Sequence, residues 1–256
     1  MAKRKHITKR NATVLNRPLA PGRLKEWGFV DAVPEPGGPF DPAGEWSHTY
    51  AIRTSSGFLE FGLNERGTLA IERKRRGDNL AILVVKQTLV GADNKSATTD
   101  AEIVCRTDRL ATPVSWRMTQ TVETPDGLQK HAPPLKASGQ AGAKEIRIAS
   151  ACAPRAHTLE HPPALDWCLF DAVQRWPEDQ ADDGPVAFDL VETGRLVKPG
   201  QTLRDRGIET VTWGDRTVKL RRLSQTGRGI LPVDYWLDGN RRLVFVTGGN
   251  RAYALR

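Results

Sequence analysis

The segment from Pro163 to Pro177 has the one strong helix pattern in a chain that otherwise shows strands and turns. Asp166 is a typical N-cap residue and Pro177 ends a helix, with no helix breaker between them. At about 100° per residue, apolar side chains cover most of the helix surface: Leu165, Leu169, Ala172, Val173 and Trp176 in one stripe, Cys168 and Phe170 beside it, and Trp167 nearly opposite. A narrow polar strip remains, formed by Asp171, Gln174 and Arg175. Such a helix is covered on more than one side, which predicts a helix lying in the hollow of a curved sheet.

Short apolar runs separated by turn residues surround this segment. The first four run from Thr49 to Thr88, with turns predicted at 55–57, 64–67 and 76–79, so neighbouring strands should pair as an antiparallel meander. Another turn is predicted at Lys198–Gln201, and a hairpin is predicted about Gly214 and Asp215. Further strands are predicted at Ala101–Arg106, Pro113–Glu123, Glu145–Ile148, Glu209–Trp213, Arg216–Leu223, Asp234–Leu237, Arg242–Thr247 and Arg251–Leu255. The pattern of Pro185–Val191 fits a strand or a loop.

These patterns predict a mainly β fold. We expect a strongly curved antiparallel sheet, a half-barrel, wrapped around one principal helix at about residues 166–176. Residues 1–45 contain six prolines from Pro18 onward and five glycines, which predicts an extended arm. No shift in composition divides residues 46–256, which we therefore expect to form a single β-rich domain.

The balance of charge is basic, with 38 Lys and Arg against 30 Asp and Glu. The excess is concentrated in Met1–Arg10 and in Arg73–Arg76. The second of these runs is a candidate for contact with nucleic-acid phosphate. Aromatic residues are not interleaved with the basic ones, so the pattern favours a solvated surface over nucleic-acid binding. No apolar run approaches the roughly 18 residues of a membrane span. The three cysteines lack metal-site spacing, and their odd number does not make a disulfide framework.

Three short sequences carry a resemblance: Leu-Phe-Asp-Ala-Val-Gln-Arg at 169–175, Gly-Ile-Leu-Pro at 229–232 and Tyr-Trp-Leu-Asp at 235–238. With their flanks they resemble the lipoprotein-carrier half-barrel, and also exported bacterial proteins of unknown function thought to share that shape. The resemblance implies export and a groove for an apolar ligand, and it assigns no catalytic residue. We therefore expect an exported, periplasmic protein whose signal peptide has been removed, with a cytoplasmic protein as the alternative.

The first functional hypothesis is a ligand-binding or scaffold protein with a groove between the sheet and the helix. Its ligand would be a small apolar molecule or a carbohydrate, because tryptophans on a concave sheet can line a lipid groove or stack on sugars. The candidate ligand-binding residues are Trp116, Trp167, Phe170, Tyr235 and Trp236. Large aromatic residues more often fill the core, and we expect that role for most of the tryptophans.

The alternative hypothesis is a carbohydrate-active enzyme, a hydrolase or lyase, that uses the concave face of the sheet. Its acid–base candidates are Arg117, Glu123, His48 and His157. Arg117 and Glu123 lie six residues apart on one strand, about 20 Å along it, so they cannot form one catalytic pair. An exposed polar face with cross-strand ion pairs is the more ordinary role for them.

The sequence His157-Thr-Leu-Glu-His161 matches the inverted zinc-protease pattern, in which a helix presents both histidines on one face. Pro154 precedes it and Pro162 follows it, so a helix hardly fits and a solvent-touched linker is expected. We expect no metal, and the alternative is a metal bound by His157 and His161. The chain has no P-loop and no dinucleotide fingerprint, so no cofactor is expected, and the oligomeric state is left open.

Overall fold

The computed structural model describes residues 19–26, 38–55, 63–91, 95–124, 133–150, 154–177, 184–248 and 251–256. These residues form two helices, α1 (Pro21–Glu26) and α2 (Asp166–Gln174), and fifteen strands. The strands are β1 (Trp46–Ser55), β2 (Leu63–Arg75), β3 (Leu80–Val90), β4 (Ser96–Arg106), β5 (Pro113–Glu123), β6 (Leu135–Ala141), β7 (Glu145–Ser150), β8 (Arg155–Thr158), β9 (Pro163–Leu165), β10 (Val186–Glu192), β11 (Leu196–Trp213), β12 (Arg216–Gly227), β13 (Val233–Leu237), β14 (Leu243–Thr247) and β15 (Arg251–Leu255).

All fifteen strands belong to one sheet, in the order β8-β7-β6-β5-β4-β3-β2-β1-β15-β14-β13-β12-β11-β10-β9. Two meanders are joined where β1 pairs with β15, and every pair is antiparallel except β9 with β10. The two edge strands, β8 and β9, are not hydrogen-bonded to each other, so the sheet is unclosed. This architecture confirms the predicted fold class.

The topology itself requires strong curvature. A flat sheet of fifteen strands would be about 67 Å wide at a spacing of about 4.8 Å. Its edge strands β8 and β9 are nevertheless consecutive in the chain, separated by residues 159–162. Those four residues reach at most about 17 Å when fully extended. The sheet must therefore curl until its two edges nearly meet, with α2 inside the curl.

Two hydrophobic clusters occupy the two faces of the C-terminal meander. The inner cluster packs around α2, and the outer one contains Leu24 of α1 with Trp213, Trp236 and Phe245. Because both faces are covered, every residue of β14 is buried rather than every second one. β3 shows the alternation of a strand with one covered face: Ala81, Leu83 and Val85 are buried and their neighbours are not.

The helix α2 is buried more completely than its sequence predicts. All eight residues from Trp167 to Gln174 are buried, including Asp171 and Gln174 of the predicted polar strip. Asp171 forms ion pairs inside the core, and the Gln174 side chain accepts the N–H of Leu243 and donates to the carbonyl of Phe170. The N-cap is Leu165, so Asp166 is the first helical residue, and the helix ends two residues earlier than predicted.

Two predicted turns lie within strands. The residues predicted to turn at 64–67 belong to β2, and Lys198–Gln201 belongs to β11. In both places the register of the sheet shifts, in β2 opposite Ile52 and Arg53 and in β11 opposite Phe188 and Leu190. Glycine at a bulge gives a turn-like sequence without reversing the chain, which explains both errors. The strand predicted at 58–63 falls almost wholly outside the described residues.

The described part of the N-terminal arm contains α1, which the proline-rich sequence did not predict. Pro21 is its first residue, a position favourable for proline because the N–H of the first helical residue has no hydrogen-bond partner within the helix. Leu24 is completely buried against the outer face of the sheet, and the N–H of Leu19 donates to the carbonyl of Gly248 at 3.3 Å. Within the described ranges, no helix is both long enough and apolar enough to cross a membrane.

Candidate functional site

A cavity of about 420 Å³ opens beside the first turn of α2, between this helix and strands β10 to β15. Its apolar lining includes Phe170 from the helix with Leu190, Ile230, Val233 and Val246 from the sheet and its loops. Phe170, Leu190 and Val246 are buried, whereas Ile230 is partly exposed at the opening. The polar lining consists of Asp166, Glu192, Lys198, Gln225, Tyr235, Arg251 and Tyr253.

Asp166 is held at the start of α2 by two backbone groups. One carboxylate oxygen accepts the N–H of Trp167 and the other accepts the N–H of Thr193, both at 3.0 Å. Thr193 lies in the turn between β10 and β11 with a φ of 48°, which is unusual for a β-branched residue. Burial raises the pKa of Asp166 to about 6, and the nearby charge of Glu192 acts in the same direction. This carboxyl therefore changes charge just below neutral pH.

Phe170 is the centre of an aromatic group at the floor of the cavity. Its ring makes edge contacts with the rings of Tyr50, Tyr253 and Tyr235 at centroid distances of 5.3, 5.5 and 6.3 Å. The hydroxyl of Tyr235 donates to Oε1 of Gln225 at 2.8 Å. Burial raises the pKa of Tyr235 and Tyr253, so both phenols are neutral at physiological pH.

Charged side chains lie around this aromatic floor. Glu192 and Lys198 form an ion pair at 2.9 Å. Arg251 is exposed, and its Nη1 donates to the hydroxyl oxygen of Tyr253 at 3.4 Å. Leu231, which also lines the cavity, has 44% of its surface exposed. The opening is therefore amphipathic, a common property of ligand sites.

Two of the five predicted ligand-binding residues, Phe170 and Tyr235, line this cavity. Trp167 and Trp236 are buried elsewhere, and their indole N–H groups donate to Gln87 at 3.2 Å and to Thr247 at 3.0 Å. Trp236 belongs to the outer cluster, on the face of the sheet away from α2. Whether any of these side chains contacts a ligand stays a prediction.

Trp116, the fifth predicted ligand-binding residue, has structural contacts on two sides. Its ring covers Gly139, its cross-strand partner in β6, so closely that a Cβ at Gly139 would overlap the indole. Its Nε1 donates to the carbonyl of Gly194 at 3.0 Å. Gly194 lies in the β10–β11 turn, so Trp116 ties the N-terminal meander to the C-terminal one across the interior.

The four acid–base candidates lie apart from one another. Arg117 donates to Glu102 at 3.0 Å on the exposed face of the sheet, and Glu123 is exposed at the end of β5. His48 is buried and stacked on Trp46 at 4.7 Å. Burial, together with the charge of Arg242, lowers the pKa of His48 to about 4, so this imidazole is neutral.

His157, the remaining acid–base candidate, lies in β8, and the zinc-protease pattern that it begins is not helical. His161 follows in the link to β9, where its Nδ1 is 3.4 Å from Oδ1 of Asp189. Asp189 also accepts the backbone N–H groups of Glu160 and Gly200 at 2.8 and 3.0 Å, so it organises this link. The described residues contain no group of three or more His, Cys, Asp or Glu placed to hold a metal.

A second cavity, of about 790 Å³, lies at the other end of α2. Arg73, Arg175 and Arg241 line it, and each of them has a protein partner. Arg73 and Arg175 pair with Asp171, and Arg241 donates to the carbonyl of Trp176 at 2.9 Å. Cations around a helix C-terminus satisfy its free carbonyls and its dipole, which is a structural role.

Sequence reasoning missed Asp166, Gln225, Arg251 and Tyr253 as site residues. The sequence pattern gives Asp166 a capping role, and the other three residues lie on strands whose neighbours in space cannot be predicted from the sequence. The segments that carry the resemblance give the best signal. Residues 169–175, 229–232 and 235–238 each contribute side chains to the cavity.

No protein-family model matches the chain, and no curated protein matches it in sequence. Among solved structures it is similar to a β-barrel-like protein of domain of unknown function DUF1849 from Brucella abortus. The TM-score is 0.52 and the sequence identity is 8%, and the match covers 83% of this chain and 96% of that one. At this identity the similarity shows the fold alone. The chain thus has a β-barrel-like fold.

Proposed function

We propose that the protein binds a small apolar or amphipathic ligand in the cavity beside α2. One observation carries the proposal: an apolar floor and several polar side chains from α2 and five strands converge on one space of about 420 Å³. Ligand sites are typically clefts of roughly 300–1,000 Å³ with mostly apolar walls and a few polar groups that fix orientation.

The resemblance to lipoprotein-carrier-like half-barrels is a second support. In that architecture the space between a curved sheet and its central elements receives an apolar ligand. The segments that carry the resemblance contribute Phe170, Ile230 and Tyr235 to the cavity. On the same basis we propose that the protein acts outside the cytoplasm. Fractionation of the native host tests this, and recovery in the cytoplasmic fraction would contradict it.

The test of binding uses N-phenyl-1-naphthylamine, an uncharged fluorescent apolar probe, titrated into the full-length chain. We expect saturable binding with one site per chain. Ile230→Trp places an indole at the partly exposed opening of the cavity and should weaken binding at least tenfold. The matched control is Leu196→Trp, at an exposed position outside the lining, which should bind as the wild type does. Absence of saturable binding, or equal binding by both variants, would remove the proposal.

A carbohydrate-active enzyme is the second candidate, and the carboxyl of Asp166 favours it. A carboxyl with a pKa of about 6 can act as a general acid, and Glu192 lines the same cavity as a second carboxylate. The test is hydrolysis of a panel of chromogenic glycosides by the wild type and by Glu192→Gln and Asp166→Asn. Activity lost in both variants would make this function the leading one. A panel without turnover would exclude it for those linkages.

A further inference from the structure

We propose that the cavity beside α2 selects an anionic amphiphile: Arg251, Tyr253 and Gln225 hold its head group, and protonation of Asp166 strengthens binding. This inference rests on the proposed ligand-binding function and deepens it. It follows from three properties of the lining, namely its charge balance, its unused hydrogen-bonding capacity and the position of its apolar surface.

Four charged side chains line the cavity. Glu192 and Lys198 lie 2.9 Å apart and neutralise each other. Asp166 and Arg251 remain, one carboxyl and one guanidinium. The phenols of Tyr235 and Tyr253 add no charge, because burial raises the pKa of both. When Asp166 is ionised the cavity is neutral overall, and when it is protonated the cavity carries the positive charge of Arg251.

The hydrogen-bonding capacity left over is mainly donor capacity. Asp166 already accepts two backbone N–H groups, one on each oxygen. The Oε1 of Gln225 accepts the Tyr235 hydroxyl, which leaves the Gln225 amide NH₂ as a donor. Arg251 has five N–H donors, and among the described residues it gives one, at the long distance of 3.4 Å, to Tyr253. The Tyr253 hydroxyl keeps its own hydrogen for donation. Such a set suits an anionic head group.

The apolar half of the cavity lies against this donor set. The buried side chains of Phe170, Leu190 and Val246 form its floor, and Ile230 and Leu231 lie at the opening. An apolar body can therefore rest on these side chains while its head group contacts Arg251. The volume of about 420 Å³ limits the ligand to a short chain or a fused ring system.

Proton linkage follows from the position of Asp166 in the same lining. An ionised Asp166 repels a bound anion, and a protonated Asp166 does not. A bound anion must therefore raise the pKa of Asp166 further, and by linkage protonation must strengthen binding. If the bound anion raises that pKa by about one unit, binding is about tenfold tighter well below pH 6 than well above it. The other charged side chains at the cavity are Glu192, Lys198 and Arg251. The contact with Tyr253 raises the pKa of Arg251, so the charge of Arg251 does not change over this range.

The experiment compares two fluorescent probes that share one apolar body. 1-Anilinonaphthalene-8-sulfonate carries a permanently ionised sulfonate, and N-phenyl-1-naphthylamine lacks it. Both are titrated into the full-length chain at pH 5 and pH 8, with near-ultraviolet circular dichroism to verify the native fold. We expect the dissociation constant of the sulfonate probe to be about tenfold lower at pH 5 than at pH 8. That of the uncharged probe should be equal at both pH values.

Two variants locate the effect. In Asp166→Asn, the dissociation constant of the sulfonate probe should be nearly the same at pH 8 and at pH 5. Arg251→Gln should weaken binding of the sulfonate probe about tenfold more than binding of the uncharged probe. The control is Arg216→Gln, which removes an exposed cation outside the cavity and should bind both probes as the wild type does. If a variant does not fold, the ratio of the two dissociation constants measured on the wild type decides by itself.

Saturable binding of the uncharged probe with no preference for the sulfonate at pH 5 would overturn this inference and leave the proposed function standing. Failure of both probes to bind would overturn the proposed function as well.

Discussion

The Nε of Arg73 in β2 lies 2.8 Å from Oδ1 of Asp171 in α2, and 1% and 0% of these two side chains are exposed. The other carboxylate oxygen of Asp171 is 2.7 Å from Nη2 of Arg175, one helical turn along. One buried carboxylate therefore holds two guanidinium groups and joins the central helix to the sheet. Arg73 belongs to a basic run whose sequence predicts a solvated surface.

Asp171→Asn tests this buried pair. The substitution leaves the charge of Arg73 buried without its partner, and we expect the free energy of unfolding to fall by about 3–5 kcal/mol. Urea denaturation followed by tryptophan fluorescence measures the change. The matched control is Glu102→Gln, which removes the exposed carboxylate beside Arg117 and should cost less than about 1 kcal/mol. Similar losses in the two variants would show that burial adds nothing to the pair.

His48 predicts sensitivity to acid. Burial lowers its pKa to about 4, so the folded protein binds a proton here less readily than the unfolded chain does. Stability from this group is therefore complete above about pH 6.5 and is lost as the pH falls toward 4, by about 3 kcal/mol in total. His48→Phe retains an aromatic ring beside Trp46 and removes the titration. Its free energy of unfolding should fall less than that of the wild type between pH 7 and pH 4, and parallel curves would contradict the assignment.

Gly139 tests the structural role of Trp116. A Cβ at Gly139 would overlap the indole, so Gly139→Ala must displace the ring and weaken its hydrogen bond to Gly194. We expect a loss of about 1–3 kcal/mol in the free energy of unfolding. Gly239→Ala is the control, because a Cβ there meets nothing within 4 Å, and its effect should stay within about 0.5 kcal/mol. If the two variants are equally stable, Trp116 is free to move and becomes available for a ligand.

The sequence predicts those parts of the fold that depend on neighbouring residues. The apolar stripe through Leu169 and Val173 identifies α2, and the hairpin about Gly214 follows from local turn chemistry. The strand pairings that bring the two ends of the sheet together depend on contacts between residues far apart in the sequence. The sequence does not indicate that β1 pairs with β15, nor that β8 and β9 end as opposite edges of one sheet.

The same distinction applies to the candidate site. Phe170 and Tyr235 could be predicted because bulky aromatic residues near a central helix are candidates wherever the sheet lies. Arg251 and Gln225 could not, because their place at the cavity depends on the pairings of β12 to β15. The sequence pattern places Asp171 and Gln174 in a polar strip, because periodicity identifies the face of a helix and not the buried partner opposite it.

The contribution of Asp166 to the free energy of unfolding depends on pH with the opposite sign to that of His48. Its pKa is raised from 3.8 to about 6, so the folded protein binds this proton more readily than the unfolded chain does. The contribution of Asp166 is therefore greatest at low pH, and it declines as the pH rises from about 4 through 6, by about 2 kcal/mol.

Asp166→Asn removes this titration while its amide oxygen can still accept one of the two backbone N–H groups. The variant loses one hydrogen bond at every pH, so its stability at a single pH does not test the titration of Asp166. The test is the pH dependence of the difference in unfolding free energy between variant and wild type. This difference should move by about 2 kcal/mol in favour of the variant from pH 4 to pH 7. A difference that stays constant with pH would mean that Asp166 is solvated and ionised like a surface carboxylate. The proton linkage proposed for the cavity would then lose its physical basis.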